Sequence, residues 1–281
     1  MAREPIGIAF SKVDKVGVEV AQKLVEMLHC ESVKVDHPKV YKWYICNDTH
    51  LVGCKDDVVY LNYLDEIYPQ NIKAYIIISR HQSISRKPTL SLHYPGNPTS
   101  DTDPEHGGKP RQLAWTYTRL AKTLFLAYYK AADRLGLLDN YSFTLEATHH
   151  GPTELKKPVI FIEIGSSERE WGDKKAQQAL AEAIVETLER GPVETCTPVI
   201  GVGGTHYPEK HTRLMLETDY CYGHIFAKYV LKELDKELLK QAIVKSVDPI
   251  KGVVVLKVPS KVKEIVREVA VEFSLKMDVQ S

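Results

Sequence analysis

The chain has 281 residues, 43% of them hydrophobic, and a formal net charge of zero. This length allows one large α/β domain or two small ones. Neutral charge argues against a general polyanion binder, although a local basic face can still hold RNA. The apolar runs are too short to span a membrane and the N-terminus lacks signal-peptide architecture, so we expect a soluble, cytoplasmic protein.

The cysteines also bear on the compartment. Their number is odd, and none occurs in a Cys-x-x-Cys motif, so neither a disulfide framework nor a zinc ribbon is expected. A reducing cytoplasm fits this pattern, with Cys30 and Cys196 as small core residues. The five cysteines are Cys30, Cys46, Cys54, Cys196 and Cys221.

The first eighty residues alternate between strand-like and helical patterns. A helix is predicted at 14–29, because Val16 and Val20 belong to an apolar series at helical spacing. A short helix or turn is predicted at 64–68, where Pro69 ends it. Strands are predicted at 6–10, 33–35, 40–46 and 73–79.

Residues 80–112 form a different kind of segment. They are rich in Pro, Gly, Ser, His and Arg and show no sustained apolar period. Irregular segments of this length are uncommon in compact domains and are often functional. We therefore predict a functional loop, an insertion or a lid at 80–112.

The second half of the chain returns to alternating elements. This alternation predicts an α/β fold with a mixed, mainly parallel central sheet flanked by helices. No repeat, linker or charge block marks a boundary, so residues 1–281 are predicted to form a single domain. Helices are predicted at 113–135, 173–190 and 222–240, strands at 141–148, 158–164, 198–202 and 253–258, and either type at 261–273.

Histidines cluster at the predicted ends of strands. Functional groups in open α/β sheets collect at the carboxyl ends of the strands. Imidazole is well suited to proton transfer near neutral pH and to binding zinc. Six of the eleven histidines fall near these breaks: His81, His93, His149, His150, His206 and His224.

Two kinds of hydrolytic site are compatible with this cluster. A zinc site needs about three protein ligands and an open position, and it would make hydroxide available from bound water. The chain has no His-Glu-x-x-His motif, so spacing does not identify the ligands. A metal-free site would use one histidine as the base and the backbone N–H groups of glycine turns for the oxyanion. The candidate metal ligands are His149, His150, Glu163, His206 and His224.

Two carboxylates lie within the apolar strands that flank the adjacent histidines. An unpaired charge is costly there, so Glu146 and Glu163 each either face solvent or orient a histidine or a metal. Glu163 is the favoured functional group because it lies nearer the end of its strand. Successive strand positions point opposite ways, so only one of His149 and His150 is expected to face a substrate.

Five motifs, in this order along the chain, resemble those of the archaeal and plant type of D-aminoacyl-tRNA deacylase. The resemblance covers essentially the whole chain, from the strand at 6–10 to the pair Gly223-His224. The motifs are Ser79-Arg80-His81-Gln82-Ser83, Leu92-His93-Tyr94-Pro95-Gly96-Asn97, Glu146-Ala147-Thr148-His149-His150-Gly151-Pro152, Phe161-Ile162-Glu163-Ile164-Gly165-Ser166 and Gly203-Gly204-Thr205-His206-Tyr207.

This resemblance implies a fold related to the peptidyl-tRNA hydrolases and phosphorylases and a dependence on zinc. It implies hydrolysis of the ester between a D-amino acid and tRNA, with tRNA charged with D-amino acids as the partner and no obligate protein or membrane partner. We expect His150 or His206 to be the base or a water-activating ligand, with Glu163 orienting it. The expected substrate-binding residues are Arg80, His81, His93, Asn97, Gly151, Gly203, Gly204 and Tyr207.

Two rival functions remain open at this point. One is a metal-dependent peptidase or amidohydrolase acting on small substrates. The other is a non-catalytic RNA-binding module in which the histidines only shape a pocket.

Overall fold

The computed structural model describes residues 4–83 and 86–280. Its strands are β1 Ile6–Ser11, β2 Glu31–Ser32, β3 Val40–Cys46, β4 Thr49–Cys54, β5 Ala74–Gln82, β6 Thr89–His93, β7 Gly96–Asn97, β8 Gln112–Leu113, β9 Ser142–Leu145, β10 Val159–Ser166, β11 Thr197–Val202, β12 Tyr220–Phe226, β13 Gly252–Val255 and β14 Lys276–Val279. Its α-helices are α1 Lys15–Met27, α2 Leu64–Ile67, α3 Thr118–Arg134, α4 Glu168–Trp171, α5 Lys174–Arg190, α6 Glu209–Glu217, α7 Lys236–Val244 and α8 Ser260–Glu272.

Eight of these strands form one mixed sheet in the order β2-β3-β4-β1-β5-β10-β6-β9. Strands β4, β1, β5 and β10 are parallel neighbours, whereas β6 runs antiparallel to β10 and carries β9 parallel to itself. A second sheet of four parallel strands has the order β12-β11-β13-β14. The predicted mixed α/β fold with helices around a large central sheet is therefore confirmed.

The inner strands of the large sheet are buried on both faces. Ile76 and Ile78 of β5 pack into the core shared with α1, α3 and α5, while Tyr75 and Ile77 pack on the opposite side. Side chains alternate between the two faces along a strand, so a strand covered on both sides reads as a continuous apolar run. This explains why Ala-Tyr-Ile-Ile-Ile at 74–78 could be assigned from sequence.

Aspartate side chains cap the starts of two helices that were predicted from sequence. The Asp173 carboxylate accepts hydrogen bonds from the backbone N–H groups of Lys175 and Ala176 at the start of α5, which was predicted at 173–190. Asp14 caps α1 in the same way, by accepting from the N–H of Gly17.

Three predicted elements differ from the structure. Residues 33–35 are not a strand, and the predicted helix at 222–240 is wrong, because its first part is β12 and its last part begins α7. Strand β12 is buried on both faces, so its apolar residues show no alternation that would distinguish a strand from a helix. The segment 80–112 is not all irregular either, since it contains β6, an inner strand of the large sheet.

Four of the cysteines are paired, contrary to the expectation from their number and spacing. Cys30 is bonded to Cys46, and Cys196 to Cys221, while Cys54 is free and buried. Partners 16 and 25 positions apart are brought together only by the fold, so a search for closely spaced cysteines does not find them. Within the described parts of the chain, no helix has the length and apolar character needed to cross a membrane.

Candidate active site

The floor of the candidate site is set by the register of three neighbouring strands. In the central strand β10, Glu163 is opposite Ser79 of β5, and Phe161 is opposite His93 of β6. His81 lies two positions beyond Ser79, so it projects from the same face of the sheet. Strands distant in sequence thereby bring two histidines to one carboxylate.

Glu163 is held by polar groups from both neighbouring strands. The Ser79 hydroxyl donates to Oε1 of Glu163 at 2.6 Å. Oε2 lies 3.3 Å from Nδ1 of His81, and Oε1 lies 3.6 Å from Nε2 of His93. Burial alone would raise the pKa of this carboxyl, but the neighbouring imidazoles of His81 and His93 hold that pKa well below its usual value. Glu163 is therefore a buried anion.

Glu146 is a second buried anion, directly after β9. Its Oε2 accepts from Nε2 of His206 at 2.8 Å and lies 3.7 Å from Nε2 of His149. Its Oε1 lies 3.3 Å from Nδ1 of His81. Burial lowers the pKa of His81, but Glu146 and Glu163 outweigh that effect and raise the pKa to about 9. Sequence reasoning ranked Glu146 below Glu163, yet both belong to one cluster.

His149 and His150 each donate a hydrogen bond from Nδ1 to a backbone carbonyl. Nδ1 of His149 donates to the carbonyl of Ala147 at 2.8 Å, and Nδ1 of His150 donates to that of Gly151 at 2.6 Å. Histidines that bind metals commonly donate their other ring N–H in this manner, which orients the Nε2 lone pair. Burial lowers the pKa of His150 to about 4, so its imidazole is neutral at neutral pH.

Both adjacent histidines line one large cavity, whereas alternation along a strand would bring only one of them to it. His150 has a φ of 43°, in the left-handed region, and the pair lies in a turn rather than in a strand. Strand alternation therefore does not apply to them. Their ring centroids are 4.2 Å and 4.8 Å from that of His93, which groups the three imidazoles.

The residues present fit a bound cation. Within residues 4–83 and 86–280, neither ring nitrogen of His93 makes a hydrogen bond, because its contact with Glu163 is 3.6 Å long, and Oε1 of Glu146 has only the 3.3 Å ion-pair contact with His81. Unsatisfied buried groups of this kind cost roughly 1–3 kcal/mol each, so they indicate a ligand. Three overlapping groups have ligand atoms within 4.8 Å of one another: His93 with His149 and His150, Glu146 with His149 and His206, and His81 with Glu146 and Glu163.

A cavity of about 1140 Å³ opens above this cluster. The residues that line it include His149, His150, Glu163, His206 and Tyr229. Pockets that bury small ligands usually measure roughly 300–1000 Å³. The cavity is therefore large enough for a substrate bigger than a single amino acid.

The guanidinium of Arg80 is fixed at this cavity by neighbouring elements. Its Nη1 donates to the carbonyl of Val13 at 2.6 Å, and Nη2 lies 3.4 Å from Oδ2 of Asp57. The Asp14 carboxylate accepts the backbone N–H of Arg80 at 2.8 Å, and burial raises the pKa of Asp14 to about 6. Arg80 thus lines the cavity with a guanidinium that is fixed in position, and its role in substrate binding stays a prediction.

Several other predicted site residues have structural partners. His224 is buried on β12, and its ring nitrogens bond to Oγ1 of Thr148 and to the carbonyl of Ala114, both at 3.0 Å. It belongs to none of the three potential ligand groups found in the described chain, so its candidacy as a metal ligand is not supported. Asn97 uses its amide to hold Thr99 and the carbonyl of Asp101.

Two of the three glycines that were expected to supply oxyanion donors already use their backbone N–H groups in hydrogen bonds. The N–H of Gly151 donates to the carbonyl of His106, and that of Gly203 donates to the carbonyl of Phe226, both at 2.8 Å. Gly203 and Gly204 have φ angles of 101° and 90°, which let the chain turn between β11 and His206. Their role in the structure is to place that histidine.

The loops do not meet at one edge of one sheet, as the sequence reasoning assumed. Strand β9 runs antiparallel to β10, and His206 follows β11 of the second sheet. His81 contacts the hydroxyl of Tyr207 through Nε2 at 2.6 Å, which joins the two sheets at the site.

Tyr229 was missed as a site residue because it was assigned to a helix. The Lys-Tyr pair directly after an apolar run was the available signal.

A buried group of histidines and carboxylates beneath a cavity, in a mixed α/β fold, is characteristic of a hydrolytic enzyme. A family model described as D-aminoacyl-tRNA deacylase matches residues 68–278. A D-aminoacyl-tRNA deacylase from Hyperthermus butylicus is 42% identical over 275 residues, which cover 97% of this chain and 99% of that protein. One from Archaeoglobus fulgidus is 33% identical and covers 94% of this chain and 92% of its own.

The fold has a similarly close counterpart among solved structures. AF0625, described as a conserved protein of unknown function, superposes with a TM-score of 0.90 and 31% identity. The match covers 99% of this chain and 96% of that one. The chain belongs to the D-aminoacyl-tRNA deacylase family.

Proposed function

We propose that this protein hydrolyses the ester between a D-amino acid and the 3′-terminal ribose of tRNA, and so removes wrongly charged amino acids in the cytoplasm. Family membership supports the reaction class. The observation that carries the proposal is the pair of buried carboxylates, Glu146 and Glu163, which hold histidines beneath a cavity of about 1140 Å³. Such an arrangement supplies proton transfer to a bound ester.

His206 is the proposed general base. Its Nε2–H donates to Glu146, so Nδ1 carries the lone pair that accepts a proton from water once water replaces the 3.3 Å contact of Nδ1 with the Tyr229 hydroxyl. The hydroxide adds to the ester carbonyl carbon, the bond to the ribose oxygen breaks, and that oxygen takes the proton from His206. The products are the free amino acid and tRNA with a free 3′-hydroxyl. Glu146 stabilises the imidazolium as it forms. His150, which also lines the cavity, is the alternative base in a metal-free site.

We propose that His93, His149 and His150 hold a zinc ion. Three imidazole ligands with an open position are a common catalytic zinc site. When bound, zinc would lower the pKa of water and polarise the ester carbonyl. Glu163 keeps His93 and His81 in place, and the backbone carbonyls at 147 and 151 do the same for His149 and His150.

The function is tested by incubating the purified protein with D-tyrosyl-tRNA and with L-tyrosyl-tRNA. We expect free tyrosine to be released from the D form at least ten times faster than from the L form. Release should slow as salt or uncharged tRNA is added, because the substrate is a polyanion. Absence of release from D-tyrosyl-tRNA, with and without added zinc, would reject the proposal. Hydrolysis of small peptides that RNA does not inhibit would favour a peptidase instead.

The metal is tested by elemental analysis before and after dialysis against a chelator. We expect bound zinc in the native protein and its loss, together with activity, after dialysis. The double variant His149→Ala/His150→Ala should contain less zinc, whereas His37→Ala, which changes a histidine outside the cluster, should keep it. An unchanged zinc content in the double variant would contradict the proposed ligands.

A further inference from the structure

A short turn at the cavity mouth carries an exposed aromatic ring between exposed lysines. The turn at Lys228–Val230 is a 3-10 helix that directly follows β12. Val230 and Leu231 are buried, which anchors the turn to the second core, whereas Lys228, Tyr229 and Lys232 are exposed. The backbone N–H of Lys228 donates to the carbonyl of Gly204 at 2.9 Å, which ties the turn to the loop of His206.

The tyrosine of this turn lies next to the proposed reaction centre. Tyr229 is 51% exposed, an unusual value for a large ring. Its hydroxyl is 3.3 Å from Nδ1 of His206, and the two ring centroids are 6.3 Å apart. One edge of the ring therefore reaches the inner cavity while much of its surface remains open to solvent.

The lysines beside it are available to bind phosphate. Across residues 4–83 and 86–280, neither Lys228 nor Lys232 forms an ion pair. The nearby acids are already engaged: Glu233 accepts from Ser100, and Asp235 pairs with Arg111 at 2.6 Å. Lys232 lies in the turn that continues directly from the 3-10 helix, three residues after Tyr229.

We propose that this turn binds the single-stranded 3′ end of the tRNA, with the terminal base stacked on Tyr229 and the neighbouring phosphates contacted by Lys228 and Lys232. Aromatic rings interleaved with cations are the usual means of holding unpaired nucleotides. The ribose of a base stacked on Tyr229 would lie toward His206 and Glu146, where the ester is cleaved. The inference rests on the proposed function and identifies the part of the substrate that this wall of the cavity binds.

The first experiment measures the affinity of wild type, Tyr229→Phe and Tyr229→Leu for uncharged tRNA ending in CCA or truncated to CC. The wild type should prefer the CCA end, and Tyr229→Leu should lose that preference by weakening CCA binding about 5- to 150-fold. Tyr229→Phe keeps the ring and should bind almost as the wild type does. Tyr129→Leu changes another exposed tyrosine, on α3, and is the matched control.

The second experiment measures how tRNA affinity depends on salt. Lys228→Ala/Lys232→Ala should reduce the slope of log affinity against log salt by about 1 to 1.5, since each contact with a single-strand phosphate contributes roughly 0.7. Lys261→Ala/Lys276→Ala, at exposed positions elsewhere, should leave the slope unchanged.

Unchanged CCA binding in Tyr229→Leu would overturn this inference, and so would a fall in kcat without any change in KM or affinity. That second result would mean that Tyr229 acts only through His206. Failure of the proposed function is a separate outcome, seen as an absence of deacylation by the wild type itself.

Discussion

At the scale of single residues, the proposed chemistry depends on two buried carboxylates that share His81 and otherwise have different partners. Glu163 holds His81 and His93 in the floor of the site, whereas Glu146 accepts from His206. A buried carboxylate that orients a catalytic histidine and stabilises its charged form resembles the third member of a hydrolase triad. The negative charge of Glu146 therefore matters as much as its hydrogen bond.

We predict that Glu146→Gln lowers kcat for deacylation by roughly 10²- to 10⁴-fold, the contribution expected of general-base catalysis. The amide can still contact His206, but it cannot stabilise the imidazolium. The measurement is single-turnover release of D-tyrosine, with circular dichroism as a check on folding. Glu264→Gln, at an exposed position of α8, should keep full activity. A fully active, folded Glu146→Gln would exclude Glu146 from catalysis.

Most of the histidines and one of the two carboxylates of the candidate site could be predicted from the sequence alone. His149, His150, His206 and Glu163 were named, because histidines at strand ends and a charge inside an apolar strand are both unusual. The pairing of Glu146 with His206 could not be predicted, since those residues are 60 positions apart and meet only where two sheets join. The same limit applies to His224, whose neighbours on other elements satisfy both of its nitrogens.

At the scale of elements, α3 supports the end of α6 through one buried lysine. The ammonium of Lys122 donates to the carbonyls of Met215, Thr218 and Tyr220. The last carbonyls of a helix have no partner within the helix, so such a donor stabilises its C-terminus. This contact fixes the segment between α6 and β12.

We predict that Lys122→Met lowers the free energy of unfolding by about 1–3 kcal/mol, because partly buried carbonyls lose a charged donor. Urea denaturation measures the change. Lys130→Met, on an exposed part of the same helix, should be close to wild type. Equal stability of the two variants would show that water replaces the Lys122 ammonium at no cost.

Helices with a cap and a clear apolar period, such as α1 and α5, were predicted nearly to their ends. The errors arose where local pattern and tertiary environment disagree. Strand β6, Thr-Leu-Ser-Leu-His, alternates as a strand should, but it lies among Pro, Gly and Arg residues that indicate a loop. Strand β12 is buried on both faces, so it carries no alternation at all. In both cases the neighbouring strands, and not the segment itself, determine the conformation.

At the scale of the whole molecule, two disulfides join segments that are distant in sequence. Cys30–Cys46 links the end of α1 with β3, and Cys196–Cys221 links the start of β11 with β12. Closing loops of these lengths reduces the entropy of the unfolded chain and stabilises the fold by about 3 kcal/mol each in the chain-entropy account. Disulfides also occur in intracellular proteins of hyperthermophiles, so they do not by themselves require export.

We predict that the denatured protein exposes one reactive thiol without reductant and five after reduction. Thiol titration under denaturing conditions measures both numbers. The variant Cys196→Ser/Cys221→Ser should unfold at a lower urea concentration than the wild type, whereas Cys54→Ser should still form both disulfides. Five reactive thiols in the unreduced protein would contradict the pairing.

The position of β10 has a consequence for the order in which the chain folds. Strands β5 and β6 are separated by only six residues along the chain, yet β10, which begins at Val159, lies between them. During synthesis, the edges of β5 and β6 that pair with β10 therefore remain unpaired until β10 has been made. Unpaired strand edges can pair with other chains and lead to aggregation. Because β10 also carries Glu163, its insertion completes the sheet and the floor of the site in one step. A nascent chain without β10 therefore has neither a complete large sheet nor the floor of the site.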